Sequence, residues 1–448
     1  MHHIRCDSMR PSHLTYLHHV KDREFASLMR TIAKPDRTTL YNSQPKRRLP
    51  KLRHNQRPTH TCRSTTARKS TNVHIHTLSK RHGRHIPRLM HIHPPPATQQ
   101  HRLVRVPLRI GTDCSGIEAP VMALRLLGIP HEHIFSAEID SHARQSIRAN
   151  YSPAIEYEDI FQRDAKTIPD IDLYVCGFPC QSFSTVNAGG QQGFYQEHNK
   201  GIIFFQCYTV ICHTQPAIFI LENVKNLLTH DDGNTFRVIQ SYLDSLSQLY
   251  IIQHKVLNAK EYDGNLQNRP RVYIVGVRKD TVLPHACRSL QATEHGLFPP
   301  PPQPPFNVPI ASVLLDDKDL PESYPDVKLT AHKETLLQEL VAKGYDLADD
   351  YIVNLNISGG NFFQVRAMPD RCPCLLANST FYITSKKRNM CAREALRIQG
   401  FPDSFRQVVS ERQMHKQCGN SMSLAVLSAL YTHLLTLVYA YADADAYA

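Results

Sequence analysis

The sequence predicts an α/β fold in which helices flank a mostly parallel, doubly wound sheet. Between residues 107 and 280, apolar runs of strand length alternate with segments of helical periodicity, as parallel βαβ units require. Several runs end in acidic residues or in Gly and Pro, where open α/β sheets carry their binding sites. With 448 residues, the chain also has room for a second, smaller domain.

The elements follow one another from Pro107 onwards. Predicted strands cover residues 108–110, 133–137, a short run ending at 158–160, 173–176, 217–221, 251–257 and 271–277. Predicted helices lead up to Gly128 and to Asn150, and cover residues 202–213, 234–249 and 391–398. Glu138 and Asp159 stand at two strand ends, where such folds hold the ribose and base of a nucleotide-like cofactor.

Cys180 lies in the stretch around which these elements are organised, Asp172 to Ser184. The apolar strand 173–176 is stopped by Gly177-Phe-Pro179, whose proline lacks a backbone N–H. Pro179 also stiffens the turn, because it fixes its own φ angle and restricts the residue before it. The position suits a nucleophile, but packing is the commoner role of a free cysteine, and this stretch alone leaves both open.

The N-terminal segment 1–106 differs from the rest of the chain. Residues 1–107 hold 22 Lys and Arg against 4 Asp and Glu, a net charge of +18, whereas the remainder holds 30 against 36, a net −6. Apolar residues show no sustained period there, so we expect a disordered, basic, His-rich tail. Three interpretations of this tail stay open: it has no role, it is an electrostatic tether to nucleic acid, or it is a targeting segment.

Beyond residue 280 the pattern becomes irregular. Phe298 to Pro305 is proline-rich and predicts a polyproline II spacer. Residues 281–375, which include Gly359-Gly360, are expected to form the smaller domain, and residues 376–448 to return to the first one.

The uncharged run from Met422 to Ala442 is long enough to span a bilayer. Ser428, Thr432 and Thr436 nevertheless form a polar stripe along it, which favours a core-packed helix and no membrane. The 12 cysteines include no Cys-x-x-Cys pair, so we expect reduced intracellular thiols and no metal.

Five short motifs occur in order along residues 108–430. They are Gly-Phe-Pro-Cys180-Gln, Glu222-Asn-Val, Gln267-x-Arg269-x-Arg271, Arg393-Glu-Ala-x-Arg-x-Gln-Gly-Phe-Pro-Asp403 and Gln417-Cys-Gly-Asn420-Ser421. Together they resemble the cytosine-5 DNA methyltransferases, in the layout of the bacterial modification enzymes. Two positions depart from that family. The usual Phe-x-Gly-x-Gly reads Cys114-Ser-Gly116-Ile-Glu118, and Leu375-Leu376 replaces Thr-Leu or Thr-Ile, so a phosphate-contacting hydroxyl is missing.

The resemblance implies a class I methyltransferase fold, with a Rossmann-like sheet and a target-recognition domain at residues 281–375. It implies that the Cys180 thiolate adds to carbon 6 of cytosine, which makes carbon 5 enamine-like. Glu222 would share a proton with ring nitrogen 3, and Arg271 would stabilise charge at oxygen 2. Arg269 would help to hold the closed loop and a phosphate, and Pro179 completes the catalytic group.

The implied methyl donor is S-adenosylmethionine. Glu138 would take its ribose hydroxyls and Asp159 its adenine amino group, with Ile139 and Ile160 on either side of the ring. The other cofactor-binding residues implied by the resemblance are Cys114, Ser115, Gly116, Ile117, Pro179, Ile203, Asn420 and Ser421. Plain core packing is the alternative for the three isoleucines at 139, 160 and 203.

The implied substrate is double-stranded DNA, from which the target base must be flipped out. The Gly189-Gly190 loop is then the segment that would close behind it. Contacts to the DNA backbone would come from the tail or from local patches such as Lys386-Lys387-Arg388, for which a solvated loop is the alternative. The rival functions are a catalytically inactive DNA- or partner-binding homologue and an RNA methylase of the same fold. We expect an intracellular, DNA-associated monomer, nuclear if the host is eukaryotic.

Overall fold

The structure, a computed structural model, describes residues 107–179, 203–284, 286, 296–303, 305–320, 324, 328–355 and 371–438. Cys180, the Gly189-Gly190 loop, the tail 1–106 and Gly359-Gly360 lie outside the described residues.

The strands and helices are as follows. The strands are β1 (Leu108–Asp113), β2 (His131–Ala137), β3 (Ile155–Tyr157), β4 (Leu173–Gly177), β5 (Ile218–Val224), β6 (Tyr250–Asn258), β7 (Gln267–Asn268), β8 (Pro270–Arg278), β9 (Ile352–Asn354), β10 (Cys372–Pro373), β11 (Phe381–Ile383) and β12 (Arg388–Asn389). The α-helices are α1 (Ala119–Leu126), α2 (Ser141–Asn150), α3 (Ile203–Thr214), α4 (Asn234–Asp244), α5 (Ala331–Ala342), α6 (Ala392–Gln399), α7 (Glu411–Asn420) and α8 (Leu424–Val438).

Seven strands form the central sheet, in the order β3-β2-β1-β4-β5-β8-β6. The first five run parallel, and β8 runs antiparallel to both β5 and β6. The predicted fold class, a mostly parallel sheet between helices, is confirmed. Because the strand order reverses between β1 and β4, the carboxyl ends of these strands border the crevice where open α/β sheets bind ligands.

Two element bounds differ from the sequence prediction. Strand β5 continues through Glu222 and Asn223 to Val224, since all seven of its residues pair with β8. Helix α4 ends at Asp244, and residues 245–249 form turns that lead directly into β6. Leu246 and Leu249 are still buried there. Their apolar spacing therefore led the sequence prediction to extend the helix to residue 249.

The C-terminal helix α8 packs inside the protein. Tyr431 donates a 3.3 Å hydrogen bond to the carbonyl oxygen of Pro120 in α1. By length and composition, segment 411–438 is the only part of the described chain that could cross a membrane, and 72% of its apolar window is buried. That burial is typical of a core helix. Ser428 of the polar stripe is buried as well, and Thr436 donates to the carbonyl oxygen of His433.

Residues 328–355 and 371–389 contain a smaller antiparallel sheet, β12-β11-β9. Helix α5 covers this sheet, and Leu336 and Leu340 share a small apolar core with Tyr382. Strand β10 pairs instead with β7, next to the start of β8. The smaller part of the chain is therefore tied to the central sheet close to the crevice.

Two interpretations of the chain beyond residue 280 need correction. Phe298 is buried, and Tyr262 donates a 3.0 Å hydrogen bond to the carbonyl oxygen of Pro299, so the proline-rich segment starts packed on the body rather than as a free spacer. Arg388 is buried and forms a bidentate ion pair with Glu394. Its charge is therefore neutralised within the fold, and of the Lys386-Lys387-Arg388 triplet only the lysines remain candidates for a DNA contact.

Candidate active site

The segment that leads into Cys180 leaves the sheet beside Glu222. Strands β4 and β5 are parallel neighbours, and Gly177 at the end of β4 is paired with Glu222. A Cβ atom on Gly177 would lie 2.9 Å from Cε of Met422 and 3.5 Å from Oε2 of Glu222. Glycine therefore leaves room for the Met422 side chain at the point where the chain turns towards Pro179, which is half-buried.

Asn223 fastens this turn to β5. Its side-chain amide donates a 3.0 Å hydrogen bond to the carbonyl oxygen of Phe178, and its Oδ1 accepts one of 2.8 Å from the backbone N–H of Val224. Asn223 is buried, so neither bond competes with solvent. The backbone two residues before Cys180 is thus held by the residue that follows Glu222.

Glu222 and Arg271 form an ion pair between β5 and β8. Oε1 of Glu222 lies 3.2 Å from Nε of Arg271, and about a tenth of each side chain remains exposed (10% and 11%). Burial raises the pKa of the Glu222 carboxyl above its usual value, although the charges of Arg271 and Arg269 act in the opposite direction. The pair can therefore offer both a proton and a fixed positive charge at one edge of the sheet.

Arg269 faces the interior rather than the crevice. It is 3% exposed, and its guanidinium donates to the carbonyl oxygens of Leu375 (2.8 Å), Gly419 (3.0 Å) and Ser421 (2.7 Å). The sequence prediction that Arg269 contacts a phosphate does not fit this burial. Its position suits a clamp that joins β8 to the C-terminal segments.

Residues 374–377 lie across the start of β8 and contact the last motif. The side chain of Gln267 accepts a 3.2 Å hydrogen bond from the backbone N–H of Leu375. A Cβ atom on Gly419 would lie 2.3 Å from the carbonyl carbon of Leu376, so only glycine permits this approach. Cys374 is thereby placed next to both arginines, and its Sγ lies 3.5 Å from Nη1 of Arg269 and from Nη2 of Arg271.

The loop between β1 and α1 bends sharply in front of the sheet. Cys114 and Glu118 have φ angles of 51° and 57°, and Gly116 also has a φ of 57°. The backbone N–H of Gly116 donates a 2.8 Å hydrogen bond to Oε2 of Glu138. A Cβ atom on Gly116 would meet no atom within 4 Å, so open space lies beside this glycine.

The side chain of Glu118 turns inwards, at the position where the family motif has its second glycine. It is 0% exposed. Its Oε1 accepts a 2.7 Å hydrogen bond from the hydroxyl of Thr112 and lies 3.2 Å from Nε2 of His133. A buried carboxylate thus anchors the far end of the loop while its backbone keeps the left-handed conformation that glycine favours.

Glu138, Ile139, Asp159 and Ile160 follow the neighbouring strands β2 and β3. Burial raises the pKa of the Glu138 carboxyl, although hydrogen bonds from the backbone N–H groups of Asp140 and Gly116 oppose this. Ile139 is 74% exposed, an unusual state for a large apolar side chain, whereas Ile160 is buried. Asp159 accepts a 2.9 Å hydrogen bond from the backbone N–H of Phe161.

The remaining predicted cofactor residues differ in exposure. Ser115, Ile117, Ile203 and Ser421 are buried, and the hydroxyl of Ser115 bonds to Thr112 and Ala137. Asn420, the last residue of α7, is exposed.

Three residues near the site carried no role in the sequence analysis: Asn223, Cys374 and Glu118. Asn223 could have been found, because it is part of the Glu222-Asn-Val motif. Glu118 was noted only as a missing glycine. No sequence signal pointed to Cys374, since its neighbours in space, Arg269 and Arg271, are more than 100 residues away along the chain.

Known proteins are similar to this chain in sequence. The sequence model of the C-5 cytosine-specific DNA methylase family matches residues 113–436. The Type II methyltransferase M.NgoBI of Neisseria gonorrhoeae is 36% identical over 302 residues, which cover 66% of this chain and 84% of that protein. The Type II methyltransferase M.HhaI of Haemophilus parahaemolyticus is 31% identical over 311 residues, 66% of this chain and 85% of its own.

Solved structures share the fold. The DNMT2 methyltransferase of Spodoptera frugiperda, in a form with three substitutions, superposes with a TM-score of 0.52 at 17% identity, covering 73% of this chain and 99% of that one. The Dnmt2 methyltransferase of S. pombe gives a TM-score of 0.50 at 20% identity, covering 73% and 98%.

Proposed function

The chain belongs to the C-5 cytosine-specific DNA methylase family, and from this premise we propose that it methylates a flipped-out cytosine through a covalent adduct with Cys180. It is a DNA cytosine-5 methyltransferase, with Type II methyltransferases among its relatives. The observation that best supports the proposed mechanism is the Glu222–Arg271 ion pair, one strand away from the segment that leads into Cys180.

The residues around the β1–α1 loop fit S-adenosylmethionine as the methyl donor. Gly116 borders open space, Ile139 offers an exposed apolar surface suited to an adenine ring, and Glu138 is a carboxylate suited to ribose hydroxyls. We assign Asp159 to the adenine amino group. When bound, the donor supplies an electrophilic methyl group on a sulfonium.

Cys180 would act first. Its thiolate adds to carbon 6 of the extruded cytosine, a sulfur–carbon bond forms, and the ring accepts negative charge. Glu222 neutralises that charge by passing its proton to ring nitrogen 3, and Arg271 stabilises the negative charge that develops on oxygen 2. Carbon 5 would then attack the methyl group, whose bond to the donor's sulfonium breaks and leaves a thioether. The proton of carbon 5 would pass to solvent, the electrons of that C–H bond would expel the Cys180 thiolate, and nitrogen 3 would return its proton to Glu222, which frees the methylated base.

Burial favours this role for Glu222. A carboxyl group with a raised pKa keeps its proton to higher pH than a free glutamic acid does, so it can act as the acid. Arg271, held at its Nε, keeps a positive charge beside it. The two side chains thus stabilise the same negative charge on the ring, one with a proton and the other with a fixed positive charge.

The proposal can be tested by trapping the adduct. Duplexes that carry 5-fluorocytosine in many sequence contexts are incubated with the full chain and S-adenosylmethionine, and the products are analysed by denaturing electrophoresis and peptide mass spectrometry. We expect attachment at Cys180, none in Cys180→Ser with DNA binding retained, and unchanged attachment in Cys212→Ser, a buried cysteine of α3.

Other outcomes separate the rival functions. Attachment to 5-fluorocytosine in transfer RNA but not in DNA would point to an RNA methylase. Tight DNA binding without attachment in any context would point to an inactive binding homologue. Bisulfite sequencing of DNA from cells that express the protein then gives the target sequence, and an unmodified genome would contradict activity on DNA.

A further inference from the structure

Cys374 contacts both arginines of the Gln267-x-Arg269-x-Arg271 motif. Arg271 donates from Nη2 and Arg269 from Nη1 to its Sγ, each at 3.5 Å, within the range of hydrogen bonds to sulfur. Cys374 is half-buried, so its thiol lies between the packed interior around Arg269 and the more open site around Arg271.

The sulfur is held firmly in this position. Gln267 and Arg269 both bind the backbone of Leu375, the next residue, and α7 approaches the following peptide through Gly419. The main chain at 374 is therefore fixed from two sides. Burial alone would raise the pKa of the Cys374 thiol, but the charges of Arg271 and Arg269 outweigh it and lower that pKa below its usual value.

Arg271 is held at separate points of its planar guanidinium. Glu222 lies at Nε, Cys374 at Nη2, and the carbonyl oxygen of Pro270 accepts from Nη1 at 2.9 Å. Two contacts on different nitrogens fix the plane of a guanidinium, because its donors form a rigid fork. Without the sulfur, Nη2 would lose this acceptor and the plane of the guanidinium would be held at fewer points.

We infer that Cys374 is a positioning residue for Arg271: its sulfur fixes the plane in which the guanidinium meets the reacting base. The inference rests on the proposed function, since it concerns the residue assigned to oxygen 2. Cys374 itself need not touch the substrate. The serine hydroxyl can accept the same hydrogen bonds, although its side chain is shorter than that of cysteine. Alanine has no acceptor atom in its side chain.

The kinetic test compares Cys374→Ala, Cys374→Ser and Cys372→Ala in the full chain. Cys372 is buried in β10 two residues away, so it controls for the loss of a thiol from the same segment. We expect Cys374→Ala to lower kcat about tenfold, with KM for S-adenosylmethionine within about twofold. Cys374→Ser should recover most of kcat, and Cys372→Ala should keep it. Equal kcat in wild type and Cys374→Ala would overturn the inference.

A second test does not depend on activity. Chemical denaturation of wild type, Cys374→Ala, Arg271→Lys and the double variant forms a double-mutant cycle. We expect the effects on the unfolding equilibrium constant to deviate from multiplicativity by about threefold or more, and strict multiplicativity would refute the contact. If wild type methylates nothing, the proposed function fails while this cycle still decides whether Cys374 holds Arg271.

Discussion

The side-chain amide of Asn223 donates a 3.0 Å hydrogen bond to the carbonyl oxygen of Phe178. This bond connects two of the short motifs, because Asn223 follows Glu222 on β5 and Phe178 lies two residues before Cys180. One buried contact thus ties the strand that carries the proposed acid to the segment that precedes the proposed nucleophile. Both partners are buried, so replacing the amide leaves a carbonyl group that water cannot readily satisfy.

Replacing Asn223 with alanine should therefore affect both stability and turnover. We expect a loss of about 1–3 kcal/mol in the free energy of unfolding and a fall in kcat of about tenfold to a hundredfold, because the segment before Cys180 loses its anchor. Chemical denaturation and single-turnover methylation measure the two effects. Asn150→Ala is the matched control, since Asn150 also donates to main-chain carbonyl oxygens, at the end of α2. A kcat loss as large in Asn150→Ala would refute a specific role for Asn223.

The central sheet could be predicted from the sequence because its strands are continuous apolar runs. The run before Glu222 shows where β5 begins, but residues such as Glu and Asn are depleted in strands, so its continuation to Val224 depends on pairing with β8. Arg388 looked like a surface charge, since nothing local reveals that Glu394 meets it in the interior. Contacts of this kind depend on tertiary packing, which periodicity does not encode.

Some residues of the site could likewise be predicted from the sequence, whereas others depend on tertiary packing. Glu222 and Arg271 could be singled out from the sequence because the resemblance assigns both to one base. Cys374 could not, since it reaches the arginines only after β10 has paired with β7. The packing of Arg269 could not be predicted either, because the carbonyl oxygens that surround it come from distant segments.

Replacing Glu222 with glutamine tests the proposed acid. Glutamine keeps the size of the side chain but cannot give up a proton to ring nitrogen 3, so we expect turnover to fall by about 10²–10⁴-fold. Affinity for S-adenosylmethionine should change little, because Glu222 lies on β5, whereas Glu138 and Asp159, proposed for the ribose and the adenine, follow β2 and β3. Single-turnover kinetics and donor binding by calorimetry separate the effects. Turnover within threefold of wild type would exclude Glu222 as the acid.

The dependence of the rate on pH follows from the raised pKa of Glu222. Burial raises that pKa, against the opposing charges of Arg271 and Arg269. Because the protonated form is the active one, the rate should fall as pH rises through this pKa, at a higher pH than for a free glutamic acid. The fall should be absent in Glu222→Gln, whose side chain does not titrate. Single-turnover rates at saturating DNA and donor give both profiles, and the same alkaline fall in both proteins would assign it to another group.

Glu118 offers a test of the backbone of the β1–α1 loop. Its φ of 57° is one that glycine adopts freely and alanine does not. Glycine and alanine both remove its contacts with Thr112 and His133, so the difference between the two variants isolates the backbone. We expect Glu118→Gly to be more stable than Glu118→Ala by about 1 kcal/mol, measured by chemical denaturation. At Glu339, an exposed residue inside α5, the order should reverse, because alanine favours helix interiors over glycine by about 1 kcal/mol. If alanine is the more stable choice at both positions, the loop does not hold the left-handed turn that brings Gly116 to Glu138.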